Sequence, residues 1–264
     1  MGEIYESGHF MAGNPNASSS GSANSIQSLK STFYRGANLG TIASSTIDSF
    51  ITEHGIAAGT FDNLFIGDFF TATYSNNTTI FRVMDIDPYY DISDSGIAGT
   101  HHILIVPDTE LTTVSNTNNK SSDGYTNSYV HKTAIPTINT KLKAIFGSHY
   151  LSYKEKLCTS SMNSTFALVS VNSVSMDEVE IFGKAVNQNT DYGLLRYQLP
   201  AFMYNRDLIK SYSYTTHNGT MYWTRGRYSS NFCVVSAGTA DNGYSYYSTT
   251  STYDIGVRPR FLLG

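Results

Sequence analysis

YWTRGRYSSNFCVVSAGTADNGYSYYSTTSTYDIGVRPRFLLG, from Tyr222 to Gly264, holds the chain's single tryptophan, a dense run of tyrosine and serine, and a stiff ending at Gly256-Val257-Arg258-Pro259. Short apolar pieces broken by Ser, Thr, Asn and Gly read as strands and long loops. In the hairpin that begins at Asn231, Phe232, Val234 and Ser236 take one side and Cys233 and Val235 the other. Ala237-Gly238 and Asn242-Gly243 supply turn chemistry, since Gly reaches the positive φ that tight turns require. Trp223 is expected in the core, near the start of the preceding strand. Arg225 and Arg227 alternate with Thr224 and Gly226 and so point to one face of that strand, as clamps on a carboxylate or as ligand contacts. Gly256 allows close backbone approach, Pro259 limits strand pairing, and Arg258 reads as a structural bridge between loops.

Tyr244, Tyr246, Tyr247 and Tyr253 cluster with Ser, Gly and Asn, which is the composition of antibody paratopes. Tyrosine offers a large contact area with two side-chain torsions to freeze, and its hydroxyl both donates and accepts. The expected ligand face is therefore Arg225, Arg227, Tyr228, Asn231, Tyr244, Tyr246, Tyr247 and Tyr253. Packing of these tyrosines between loops or against sister subunits is the alternative.

At 264 residues the chain can bury a substantial core. A charged fraction of 14% beside an aromatic fraction of 13% excludes disorder over most of its length. The net charge of -4 and the absence of any Lys/Arg-rich run give nucleic acid no footing. Cys158 and Cys233 are too few for a disulfide framework. They are one bridge or two thiols, and the apolar run around Cys233 favours buried thiols. The opening MGEIYESGHFMAGNPNASSS lacks a basic segment followed by an apolar one, so no signal peptide is expected, and no apolar run approaches membrane-spanning length.

Outward from the C-terminal third, residues 1–35 read as an extended assembly arm. Its low-complexity centre, GNPNASSSGSAN, needs a neighbouring subunit or partner to lie against. Residues 36–60 read as a short helical connector. Ser45 is the expected cap, Ile47, Phe50 and Ile51 form the apolar stripe, and Gly55 is the stop. FDNLFIGDFFTATYSNNTTIFRVMDIDPYY predicts two strands around a turn at Asn76-Asn77, and THHILIVPD a buried strand closed by proline. A helix is expected after Pro136, with Ile138, Leu142 and Ile145 on one face and Gly147 at its end. Another is expected in SMDEVEIFG, boxed by Ser175 and Glu178 and closed by Gly183. The sum is an α+β class with a mostly antiparallel sheet, short helices and long loops.

Taken in order, LFIGDFF, FRVMDIDPYY, THHILIVPD, YVHKTAIPTINTKLKAIFGSHYLSYKE, DEVEIFG, YWTRGR and GVRPRFLL resemble segments of bacteriophage and prophage structural proteins. The C-terminal region of those proteins looks like a C-type-lectin-like domain, and here it would span residues 61–264. The resemblance implies a virion surface protein, of fibre, tail-tip or decorating type, made in the host cytoplasm and released by lysis. It implies a homo-oligomer that contacts other virion proteins through its arm and a host surface glycan or protein through the loops of 222–253. The calcium-binding triplets of sugar-binding C-type lectins do not occur in this sequence. Nor do the paired C-terminal cysteines of the formylglycine-generating enzymes that share the fold. No metal, no cofactor and no catalytic residue is expected.

Other chemistry finds little support. Asp85 and Asp87 fall on one face of a strand and invite a glycosidase reading, which needs two carboxylates about the scissile bond. Carboxylates in such an acidic stretch are more often solvated. Asp85 to Asp94 breaks calcium-loop spacing at Pro88. His101 and His102, adjacent on a strand, point to opposite faces and are expected to be structural.

Overall fold

The computed structural model describes residues 33–115, 124–160, 165–186, 193–209, 221–228, 231–236, 245–247 and 254–264. The strands in chain order are β1 (Asn38–Ile42), β2 (Phe69–Tyr74), β3 (Asn77–Ile86), β4 (Ile103–Pro107), β5 (Thr112–Ser115), β6 (Tyr153–Cys158), β7 (Phe166–Val171), β8 (Ser173–Ser175), β9 (Met221–Tyr228), β10 (Asn231–Ser236), β11 (Ser245–Tyr247), β12 (Asp254–Val257) and β13 (Pro259–Leu263). Four α-helices accompany them among the described residues: α1 (Ile47–Glu53), α2 (Ile135–Phe146), α3 (Glu178–Phe182) and α4 (Pro200–Tyr204).

One sheet runs β1-β2-β3-β4-β13-β8 and a second β11-β10-β9-β12-β5, while β6 and β7 form a separate hairpin. Pairing is antiparallel except at β1–β2 and β9–β12. The fold is thus α+β with mostly antiparallel sheets and few short helices. Residues 38–42, inside the expected connector, contribute the edge strand β1 to the larger sheet. The expected arm lies outside the described residues up to residue 32.

The larger sheet owes its stability to a row of rings. Phe146 of α2 lies 5.6–6.0 Å from Phe70, Phe81 and Phe261, which come from β2, β3 and β13. Fully burying each such ring is worth about 1.5–3 kcal/mol. All five residues of β4 are buried, as the apolar run in THHILIVPD predicts, and so are all five of β13.

Local chemistry explains the small departures from expectation. The β2–β3 turn is at Ser75-Asn76, with φ of 50° and 67°, one residue before the expected position, because Asn77 already pairs with Tyr74. Both turn residues take the left-handed conformation that a two-residue hairpin demands. In α1 the stripe Ile47, Phe50 and Ile51 is buried, but Thr46 rather than Ser45 stands at the N-cap. The Thr46 hydroxyl accepts the Ala43 N–H at 2.9 Å and closes the turn that feeds the helix. In α2 Ile138 and Leu142 are buried as expected, while Phe146, not the half-buried Ile145, completes the face. The capping box of α3 is Asp177 with Glu180, two residues beyond the expected Ser175 and Glu178. Ser175 is engaged in β8, so the helix cannot begin there.

Candidate functional site

Strands β9, β10 and β11 carry the described part of the segment expected to bind, and two buried anchors fix it to the rest of the molecule. The first is Arg258, between β12 and β13, where the chain leaves one sheet for the other. It is 1% exposed; its Nε donates to the Pro107 carbonyl at 2.6 Å and its Nη1 to the Leu208 carbonyl at 2.8 Å. The guanidinium also lies 5.3 Å from the Tyr222 ring centre and 5.7 Å from that of Phe202. Burial pushes the Tyr222 hydroxyl up to about 12, against the pull of Arg258, so the ring faces the cation as a neutral phenol. Gly256 is required beside it, since a Cβ there would stand 2.8 Å from Glu110 Cβ and 3.0 Å from the Met221 carbonyl. Pro259 opens β13, where a missing N–H is tolerated. Gly256, Arg258 and Pro259, expected to be structural, thus stand at the crossing from β12 to β13.

The second anchor is a buried ion network built from four elements. Arg225 of β9 donates through Nη2 to Asp177 at 2.7 Å and Glu180 at 2.8 Å, and through Nη1 to the Ser175 carbonyl at 3.0 Å. Arg260 of β13 donates to Glu180 at 2.8 Å, to the Tyr153 hydroxyl at 2.9 Å, and to Glu155 of β6. The side chains of Arg260, Glu155 and Glu180 are 0% exposed. Burial opposes charge on both guanidiniums. Asp177, then Glu180 and Glu155, together outweigh it at Arg225, and Glu180, Tyr153, Tyr89 and Glu155 together outweigh it at Arg260, so both are held above the ordinary arginine value. Burial likewise opposes the Glu155 carboxylate, but Arg260, Arg225 and the Tyr89 hydroxyl carry it down to about 2.

Three acids meet two guanidiniums, and neutral donors supply the remainder. Tyr89 gives its hydroxyl to Glu155, and the Leu194 N–H reaches Glu155 Oε1 at 2.7 Å. Gly193 makes that approach possible, because a Cβ there would overlap Arg225 Nη2 and stand 3.0 Å from Asp177 Oδ2. Every carboxylate in the network is thereby committed to partners within the protein.

The sequence left Arg225 open between clamp and ligand contact, and the structure makes it the clamp. Between Trp223 and Arg227 the register of β9 on β10 slips. The Arg225 N–H leaves the strand pair for the Met176 carbonyl at 2.9 Å, which joins the second sheet to the segment leading into α3. Trp223 is 1% exposed, a core residue as expected, with its ring edge-on to Phe232. Phe232, Cys233, Val234 and Val235 are all buried, so both sides of β10 are covered. Cys158 and Cys233 are free buried thiols.

Backbone pairing sets Arg227 opposite Phe232, Tyr228 opposite Asn231, Tyr246 opposite Val234 and Tyr247 opposite Cys233. Those four positions and Asn231 share one three-stranded unit, β9-β10-β11. Tyr244 and Tyr253 lie outside the described residues.

The carboxylates that invite a glycosidase reading are separated and occupied. A register shift at Val83–Asp85 breaks β3, and Asp87 lies past its end with φ of 55°. Asp85 accepts the Tyr197 hydroxyl at 2.6 Å and the Ile86 N–H at 2.8 Å. Asp87 accepts from His101 Nδ1 and from the His102 N–H, each at 2.7 Å. His102 donates from Nδ1 to the Thr100 carbonyl at 2.8 Å and accepts the Tyr89 N–H at Nε2, 3.1 Å away. That pair of bonds fixes a neutral ring, and burial lowers its proton affinity despite the Thr100 bond. Both histidines are structural. Among the described residues no cluster of three His, Cys, Asp or Glu is arranged to hold a metal ion.

The fold and this site define an α+β protein whose charged groups brace a C-terminal strand unit. Comparison with protein-family models, with curated proteins and with solved structures finds no match to the chain.

Proposed function

We propose that this chain is a non-enzymatic binding protein of a phage virion, a head or tail fibre or receptor-binding adhesin with a C-type-lectin-like domain. Its ligand is a host surface glycan or protein, and it meets that ligand through the Tyr/Ser-rich segment of 222–253. The observation that carries this reading is the pair of buried anchors, Arg225 near the start of that segment and Arg258 just beyond its end. A stiffly held stem lowers the entropy lost when loops engage a partner. The occupied state of Asp85 and Asp87 supports a role without hydrolysis.

The test is adsorption of the purified full chain to host cells, compared with adsorption to virions lacking it. Saturable binding to cells, with competition against phage adsorption, is expected. Binding only to the depleted virions would replace the adhesin with an architectural cement protein. Release of reducing sugar from host envelope, lost in Asp85→Asn, would replace it with a glycan-degrading enzyme.

A further inference from the structure

The turn that follows β3 is held by two residues at the entry to β4. Asp87 gives its N–H to the His102 carbonyl at 2.9 Å, and its carboxylate accepts the His102 N–H and His101 Nδ1, each at 2.7 Å. Tyr89 gives its N–H to His102 Nε2 at 3.1 Å. The backbone of this turn is strained. Of the five non-glycine residues with positive φ among the described residues, Asp87, at 55°, alone precedes a proline, which favours extended backbone at that position. Strain of this kind persists only where the surroundings over-determine it, and it collects at switch regions.

Three of these four bonds tolerate a further proton on the imidazoles, and the bond from Tyr89 does not. A backbone N–H only donates and a carbonyl only accepts. His102 therefore carries its hydrogen on Nδ1, toward the Thr100 carbonyl, and presents a bare Nε2 to Tyr89. A second proton would set Nε2–H against the Tyr89 N–H. His101 donates from Nδ1 to Asp87 with one proton or with two. Acid thus opposes the hold on Tyr89 and spares the hold on Asp87. Tyr89 is also the link inward, with its ring 5.0 Å from that of Tyr153 and 5.6 Å from the Arg260 guanidinium, and its hydroxyl on Glu155.

We propose that His102 is an acid-sensitive latch: a proton taken from water at Nε2 expels the Tyr89 N–H, and the turn opens at Tyr89 with Asp87 as its hinge. Opening takes the Tyr89 hydroxyl from Glu155 and so carries the change to the ion network. Burial, and to a lesser degree His101, disfavour a charged His102 ring in the folded protein, against the Thr100 carbonyl and Asp87, which lies 3.8 Å from Nδ1. On the β13 side a Cβ on Gly264 would meet His102 Cβ at 3.4 Å, and the Gly264 carbonyl accepts from His149 Nδ1. Behind Tyr89 stand Glu155 and Arg260, paired with one another. A released ring titrates near the ordinary value of about 6.5, above the folded one, so opening is favoured as pH falls below about 6.5.

The test is amide exchange on the full chain, with each rate corrected for its intrinsic pH dependence. From pH 7.5 to pH 5, protection of the Tyr89 amide is expected to fall severalfold, up to the limit of about 30-fold set by a released ring near 6.5. The Ile105 amide in β4 should hold within about threefold, because the opening is local. His102→Gln keeps an acceptor in place of Nε2 but does not titrate, so its Tyr89 protection should stay flat over the same range. Ring nitrogen shifts of the wild type at pH 7.5 give a reading that needs no variant, with Nδ1 protonated and Nε2 bare. Tyr89 protection that changes by less than about threefold, or an Ile105 amide that falls in parallel, would overturn the latch. So would a Gln variant as acid-sensitive as the wild type, or a ring protonated at Nε2. None of these readings involves host cells, so failure here is distinct from failure of the adhesin reading.

Discussion

Arg260→Met is the most informative perturbation of the frame. The side chain is wholly buried and serves Glu155, Glu180 and Tyr153 together. Its removal leaves Glu180 with Arg225, whereas Glu155 keeps only neutral donors such as Tyr89 and the Leu194 N–H. Stranding a buried carboxylate in this way costs about 3–5 kcal/mol. For a chain of this size that lowers Tm by roughly 6–20 °C. The acid limb should change as well. The Glu155 carboxyl titrates at about 2 in the folded protein and at about 4.3 when unfolded. Because the folded value is the lower, its stabilisation is complete above about 4.3 and fades as pH falls through about 2, a loss of about 3 kcal/mol. Without Arg260 the folded value rises, so the acid-sensitive contribution shrinks from the outset. Urea unfolding at pH 7, 5, 4 and 3 measures both effects. Arg260→Met/Glu155→Gln, which removes both charges, should recover part of the loss. An Arg260→Met protein within about 2 °C of wild type at pH 7, with a parallel acid profile, would refute the network as the brace.

Three other outcomes follow from the same geometry. Arg258→Lys keeps the charge but cannot span the Pro107 and Leu208 carbonyls, and it should cost about 1–3 kcal/mol in urea unfolding; unchanged stability would deny the two-sheet latch. Gly193→Ala drives a methyl into the Arg225–Asp177 pair and should cost about 1–3 kcal/mol by thermal unfolding, and a neutral result would mean the segment does not seat there. Tyr246→Ala/Tyr247→Ala should weaken adsorption to host cells about tenfold or more with Tm unchanged. Equal adsorption would remove these positions from the binding face.

The legible parts of the fold were those where local pattern and tertiary burial agree. The stripe of α1, the apolar run of β4 and the proline-opened α2 are set by periodicity, and each formed within a residue or two of expectation. The ion network was not legible. Glu155 sits in YKEKLC, where lysines on either side make it look solvated, yet alternation turns Lys154 outward and Glu155 inward. Arg260 stands in PRFLL, an otherwise apolar strand, and a charge so placed in a chain with only 14% charged residues was the available signal. The partners come from β6, β9, β13 and α3, so no sequence window contains the site. Arg225 stayed open between clamp and ligand contact because its partners Asp177 and Glu180 stand 48 and 45 residues away in the sequence.

The chemistry of the network bears on why it exists. Replacing buried ion pairs with apolar residues often leaves stability unchanged or raised, so stability alone is a weak reason to bury Arg225, Arg260, Glu155 and Glu180. What an ion network adds is a demand for one geometry. Arg225 satisfies Asp177, Glu180 and the Ser175 carbonyl only if β9 slips on β10 where it does, and Gly193 admits the Leu194 N–H only at that position. A hydrophobic core tolerates repacking, whereas a half-satisfied polar network is worse than none. The network therefore fixes the register of β9 and, through β10, that of β11. A surface that recognises a partner through tyrosines depends on that register more than on any single contact, since preorganisation sets how much of the contact energy survives as affinity.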